Sequence, residues 1–273
     1  MSRGTVTIGH IVNPVAVDRT SDLSVAQPIT FETMRRARHA AAPGLDISFF
    51  SAQYREDRTV VPAEFTLTPD LERSAQDLVP GLTRKLPFCA DICERLYRAS
   101  DAEFLVYTNV DIALQPAFYN ALAAYVEQGY DAFAFARRNI SGEFTSVTEI
   151  DEMYAADGKT QRGADCFVFH RELYPLFELD DVFTGEPGIG RVMLANLFCF
   201  GRRPGFFTDG ALTFHVGNDG IWKRRGDPAG RANLQRSLAV VERLSTTADD
   251  ERRALIRPLR EAIERMLQRA AAA

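Results

Sequence analysis

The feature that most limits what this chain can fold into is an alternation. Short runs rich in Val, Ile and Phe, too brief for helices, are separated by longer stretches of helical periodicity. Residues 5–12 form the first run, which stops at Asn13-Pro14, where proline ends a strand. A helical pattern over 28–42 is closed by Pro43-Gly44, and 45–52 reads as a second strand. Pro87 opens an amphipathic helix reaching about residue 99, with Phe88, Ile92 and Leu96 on the face that Cys89 and Cys93 share. A strand over 104–107, a helix over 116–129 and a strand over 131–136 follow. Later come a strand over 164–170, a helix over 189–199 and a strand over 206–216. This order predicts an α/β fold, a mainly parallel sheet flanked by helices. Residues 53–83, broken by prolines, predict loops and a short helix. The polar stretch 138–164 predicts a long loop of the functional or mobile kind.

Beyond residue 229 the composition shifts to Ala, Leu, Arg and Glu, predicting two further helices. The second should start with Thr247 ahead of Asp249, Asp250 and Glu251, and Pro258 should kink it or stand near its beginning. Leu255, Ile256, Leu259, Ile263 and Leu267 make an apolar stripe needing cover from the main domain or from a second subunit, as in a homodimer. The chain thus divides into a main domain over 1–226 and a helical extension over 227–273. Nine Arg against six acids between 231 and 269 read as a solvated face, with a weak membrane-surface or lipid-linked-acceptor role as the other reading.

Several classes are excluded. A net charge of −5 argues against a general nucleic-acid binder, which needs surplus Lys and Arg. No apolar run reaches the ~18 residues of a membrane span, and the first residues lack the apolar core of a signal peptide. The four cysteines lack zinc-ligand spacing and read as buried free thiols. These features together predict a cytoplasmic protein without a transmembrane segment.

In an open α/β sheet, ligands bind beyond the carboxyl ends of the strands. Asn13 stands there after the first strand, Asn109 and Asp111 after the 104–107 strand, and His215, Asn218 and Asp219 after the last one. The topology would gather them along one edge. Each has a plainer use: an Asp after a strand caps turns, and a lone His is commonly a hydrogen-bonded structural residue.

The strand leading into Asn109-Val110-Asp111 resembles the D-x-D element of GT-A fold glycosyltransferases, the nucleotide-diphospho-sugar transferases. His215-Val216-Gly217, followed by Trp222-Lys223, resembles the late His and Gly element with a downstream Trp of metal-dependent members. The similarity in order runs over residues 5–225. It implies that Asp111 and His215 hold a divalent Mn or Mg bridging the diphosphate of a nucleotide-sugar donor, with Lys223 on phosphate. It also implies transfer of the sugar to a hydroxyl acceptor, in glycan or polysaccharide biosynthesis. Charge logic agrees, because the leaving nucleoside diphosphate needs a metal or clustered cations, and oxygen ligands with one imidazole suit Mn or Mg. Asn109 departs from the motif, having lost the first acid's charge; it would touch the ribose or the metal's water shell.

By the same resemblance, Asp165 falls where acceptor- or sugar-binding polar groups occur. Glu186 falls at a helix start, where inverting members carry a general base. Asp180 and Asp181 compete for that role, and a helix-dipole acid is the plain alternative for Glu186. Asn13 and Gln27 could approach the nucleotide's base or ribose. Arg84, Lys85 and Asp91 fit the place of nucleotide and sugar contacts. Trp222 is core or a lid over the donor. A GT-A-like nucleotidyltransferase should carry a Gly-rich loop after the first strand, and Asn13-Pro14-Val15-Ala16-Val17-Asp18 has no glycine. The other reading is a non-catalytic sugar-nucleotide or carbohydrate-binding protein on the same fold.

Overall fold

A computed structural model describes residues 5–140, 143–216 and 228–271. In chain order its elements are β1 (Val6–Val12), α1 (Leu23–His39), β2 (Leu45–Ser51), β3 (Phe65–Leu67), α2 (Cys89–Ala99) and β4 (Phe104–Thr108). Then come β5 (Ile112–Leu114), α3 (Phe118–Glu127), β6 (Ala132–Ile140), α4 (Ile150–Ala155) and β7 (Gly158–His170). The last are α5 (Ile189–Phe200), β8 (Pro204–Phe207), β9 (Thr213–Val216), α6 (Pro228–Thr247) and α7 (Asp250–Ala271).

The strands join one sheet in the order β3-β2-β1-β4-β7-β6-β9-β5, with β8 beside β6. β1, β2, β3 and β4 pair in parallel, as expected. β7 enters antiparallel between β4 and β6, and β5 runs antiparallel to β9. The sheet is therefore mixed: β6 returns to parallel pairing with β8 and β9, and only the contacts of β7 and of β5 are antiparallel. Strand side chains alternate between faces, and both faces are covered. Leu105, Tyr107, Phe167 and Phe169 meet α2, α5 and α6 on one side. Phe104, Val106, Phe133 and Val168 meet α1 and α3 on the other. That double burial is why β4 reads as an unbroken apolar run.

Several elements depart from the sequence reading, each for a local reason. Residues 138–164 are not a loop: β6 runs on to Ile140, α4 follows, and β7 starts at Gly158. The outer ends of this hairpin are polar on both faces, so the two-residue alternation that betrays a strand is missing. The late strand splits into β8 and β9 at the turn around Asp209-Gly210. α1 begins at Leu23, with Pro28 inside it. Asp249, not Thr247, caps α7, its Oδ1 accepting from the Arg252 amide at 2.9 Å. The Thr247 hydroxyl turns back to the Arg243 carbonyl. Pro258 lies within α7 on an exposed side, where the carbonyl it deprives can meet water.

α6 and α7 share the core of α5: Val240, Val241, Leu244, Ile256 and Ile263 are all buried there, with Leu259 and Leu267 packed against them. The apolar stripe is thus covered within the chain, except for Leu255, which is 43% exposed. The four cysteines are free and buried. Among the described residues no helix is long and apolar enough to cross a membrane.

His10, on β1, is wholly buried, with Nδ1 2.8 Å from the Tyr119 hydroxyl and Nε2 2.9 Å from the Thr108 hydroxyl. Burial pushes its pKa down from 6.5 to about 3. The folded protein keeps His10 neutral where the unfolded chain takes up a proton. Its contribution to stability is therefore intact above the unfolded value and erodes as pH falls toward the folded one. The loss is up to about 1.4 kcal/mol per pH unit. Urea denaturation at stepped pH across that window should show a shallower decline for His10→Gln than for the wild type; parallel slopes would rule out this source.

Candidate functional site

A cavity of about 380 Å³ opens beyond the carboxyl ends of β1 and β4. Its polar lining includes Asn13, Arg84, Lys85, Asn109, Asp111 and His215. Strand register explains how the last two meet. Ile112 on β5 pairs with His215 on β9, and Asp111 directly precedes Ile112. Asp111 Oδ2 lies 3.3 Å from His215 Nε2, and both side chains are nearly buried. Burial alone would raise the Asp111 carboxyl. The hydrogen bond and charge of His215, with Arg137 beyond, outweigh it and hold the carboxyl below its ordinary value.

Asn109 has a structural partner that the sequence reading did not anticipate. Its amide nitrogen donates to Asp165 Oδ1 at 3.1 Å, and its oxygen accepts from the Tyr107 hydroxyl at 3.0 Å. Arg137 grips the other Asp165 oxygen and donates through Nε to Asn139 Oδ1 at 3.0 Å. Arg137 sits in an irregular stretch of β6, where the pairing with β7 shifts register; such bulges re-aim side chains. Burial raises the Asp165 carboxyl above its ordinary value; Arg137 opposes the rise and the neighbouring Asp111 charge adds to it. Asn109 thus ties the Asp165 carboxylate to the Tyr107 hydroxyl, and an Asp could not donate to Asp165 in its place.

The remaining predicted residues are dispersed. Asn13 lines the cavity and donates to the Ala52 carbonyl at 2.6 Å. Gln27 spends both amide atoms on the Val15 backbone, at 2.8 and 3.1 Å, and Asp57 accepts from the Ala16 amide at 2.7 Å. Gln27 therefore shapes the loop after β1. Arg84 and Lys85 form a cationic wall: Arg84 is paired with Glu186. Lys85 reaches Glu56 at 2.6 Å and stands 4.1 Å over the Tyr54 ring. Asp91 and Asp181 are brought together elsewhere, on Arg73, at 2.8 and 3.0 Å, with that guanidinium 4.7 Å over the Phe88 ring. Asp180 pairs outward with Arg243 at 2.7 Å. Trp222, Lys223, Asn218 and Asp219 lie outside the described residues.

Sequence reasoning missed Tyr107 and Arg137. Tyr107 falls within the 104–107 strand, and its hydroxyl's reach to Asn109 depends on side-chain direction. Nothing in Ala136-Arg137-Arg138-Asn139 announces a bulge.

A single metal ion fits the donor set. Two ligand atoms on adjacent corners of an ion with bonds of ~2.1 Å stand ~3 Å apart, close to the Asp111–His215 spacing. One carboxylate and one imidazole leave further positions for phosphate oxygens and water.

No protein-family model matches this sequence, and no curated protein matches it. Solved structures do. The TarS 1–349 structure from S. aureus, in complex with UDP-GlcNAc, superposes with a TM-score of 0.53 at 10% identity, over 92% of this chain and 69% of that one. The mannosyltransferase PcManGT from Pyrobaculum calidifontis, in complex with GDP-Man and Mn2+, superposes with a TM-score of 0.52 at 15% identity, over 97% of this chain and 73% of that one. At such identities the likeness speaks for architecture. The chain has the GT-A fold, with the expected α/β architecture of a sheet flanked by helices, the sheet being mixed.

Asn109→Asp would restore the D-x-D acid but set a carboxylate against Asp165. Without metal, the variant should lose about 1–3 kcal/mol at neutral pH, with part recovered on mild acidification as one of the pair takes a proton. Urea denaturation measures this; unchanged stability at both pH values would mean that the Asn109–Asp165 bond contributes nothing.

Proposed function

We propose that this chain is a glycosyltransferase that moves a sugar from a nucleotide-sugar donor to a hydroxyl acceptor, with a divalent metal at Asp111 and His215. The observation that carries this reading is the Asp111–His215 pair on the floor of a cavity walled by Arg84 and Lys85, beyond the carboxyl ends of the parallel strands. The UDP-GlcNAc of the TarS structure and the GDP-Man with Mn2+ of the mannosyltransferase structure support both the donor class and the metal. Four free thiols suit a reducing compartment.

In the transfer, the acceptor oxygen bonds to the anomeric carbon as the bond from that carbon to the diphosphate breaks. The electron pair leaves with the nucleoside diphosphate. A bound metal supplies Lewis-acid stabilisation of that leaving charge. Arg84 and Lys85 add cationic donors to the same oxygens. Asn13 and the loop shaped by Gln27 receive the nucleoside. We assign the acceptor's proton to Asp165, which burial makes more basic than an exposed aspartate and which Arg137 and Asn109 hold in one orientation.

Titration calorimetry with UDP, GDP, CDP and dTDP tests the reading. One of them should bind in the presence of Mn2+, and Asp111→Ala should weaken that binding at least about tenfold, the order of a lost buried charge contact. Once the donor is known, Asp165→Asn should lower kcat about a hundredfold or more with little change in donor KM. Failure of the folded protein to bind any of the four would overturn the reading. Tight binding without sugar transfer would mark it instead as a sugar-nucleotide-binding protein.

A further inference from the structure

Glu186 is 8% exposed, although it stands on the short connection leading into α5. That connection is rigid. Gly188 holds φ at 123°, and a Cβ there would come within 2.2 Å of the Ser237 hydroxyl. Asn233, on α6, accepts from the Phe183 amide at 2.9 Å and donates to the carbonyls of Phe183 and Pro187 at 2.9 and 3.2 Å. Glu186 is thereby fixed from the side of the C-terminal helices. Its Oε2 packs so closely on the first turn of α6 that a Cβ on Gly230 would approach within 2.9 Å. On the cavity side Glu186 meets Arg84, whose side chain is 45% exposed.

The two members of this ion pair are therefore unequal. The carboxylate is buried and clamped, whereas the guanidinium reaches it from a loop that walls the cavity. The ion pair and the close packing on α6 set the Glu186 carboxylate in one place beside Arg84. Held there, it is suited to orienting an arginine, whose planar fork of five donors can bind a carboxylate on one edge and phosphate oxygens on another.

We infer that Glu186 is a positioning residue that holds Arg84 in place to receive the diphosphate of the donor, and that α6 serves the site by fixing Glu186. This rests on the donor reading above. It also gives the C-terminal helices a functional duty that their remoteness from Asp111 in sequence conceals. Pre-setting a long, half-exposed arginine reduces the rotamer entropy lost when the diphosphate arrives.

The test is a double-mutant cycle on the full chain, read as binding of UDP and of GDP with Mn2+ by calorimetry. Glu186→Gln and Arg84→Ala should each weaken the nucleotide that the wild type binds, by about tenfold. The double variant should also lose about tenfold, because Glu186 has nothing to orient once Arg84 is gone. Glu186→Asp should restore part of the affinity. Losses that multiply to about a hundredfold would show a general structural role and overturn the inference, as would a Glu186→Gln protein that binds as well as or better than the wild type. If Glu186→Gln fails to fold, Gly230→Ala takes its place, since its methyl group crowds Oε2; its loss should vanish in the Arg84→Ala background, and a persisting loss overturns the inference. A wild type that binds neither nucleotide overturns the donor reading itself, and this inference with it.

Discussion

The site depends on one strand placement. β9, only four residues long, lies between β6 and β5, pairing in parallel with the first and antiparallel with the second. His215 is thereby set opposite both Ile112 and Asn139. The first pairing brings the imidazole to Asp111, at the start of β5; the second brings it beside the irregular end of β6 that carries Arg137. Since a one-residue slip would turn every side chain of β9 to the other face, the apolar neighbours Phe214 and Val216, buried in their own cluster, also fix where His215 points.

Around that pair, charges alternate in sign. Asp111 faces His215, and Asp165 lies between Arg137 and the neutral amide of Asn109. Two buried carboxylates this close to one another need cations or donors between them. An amide at position 109 supplies one donor. It answers why the D-x-D resemblance is incomplete: the missing charge is exchanged for a bond that ties the loop after β4 to β7. Arg84 pairs separately with Glu186, which packs on the first turn of α6.

Much of this was legible in the sequence, and the reasons are physical. β1, β2 and β4 announce themselves because burial makes their short runs largely apolar, α2 and α3 because one-sided burial makes them amphipathic, and α5 because it is buried nearly all round. Asn13, Asp111 and His215 were legible because strand ends in an α/β sheet face one edge. Only the outer part of the β6–β7 hairpin was hidden, because it is polar on both sides. The partners were hidden as well. Asp91 and Asp181 are acids in acceptable positions, yet Arg73 draws both away from the cavity, and no spacing rule tells an acid which arginine it will meet. The bulge at Arg137 leaves no compositional trace.

The central claim is that Asp111 and His215 share one divalent ion that faces a nucleoside diphosphate. Its most direct test is anomalous X-ray scattering from crystals grown with Mn2+ and the nucleotide that binds. A manganese peak bonded to an Asp111 carboxylate oxygen, to His215 Nε2 and to diphosphate oxygens is the expected result. A nucleotide held in the cavity with manganese elsewhere, or with the Asp111–His215 contact intact and no metal between the two, would contradict the account.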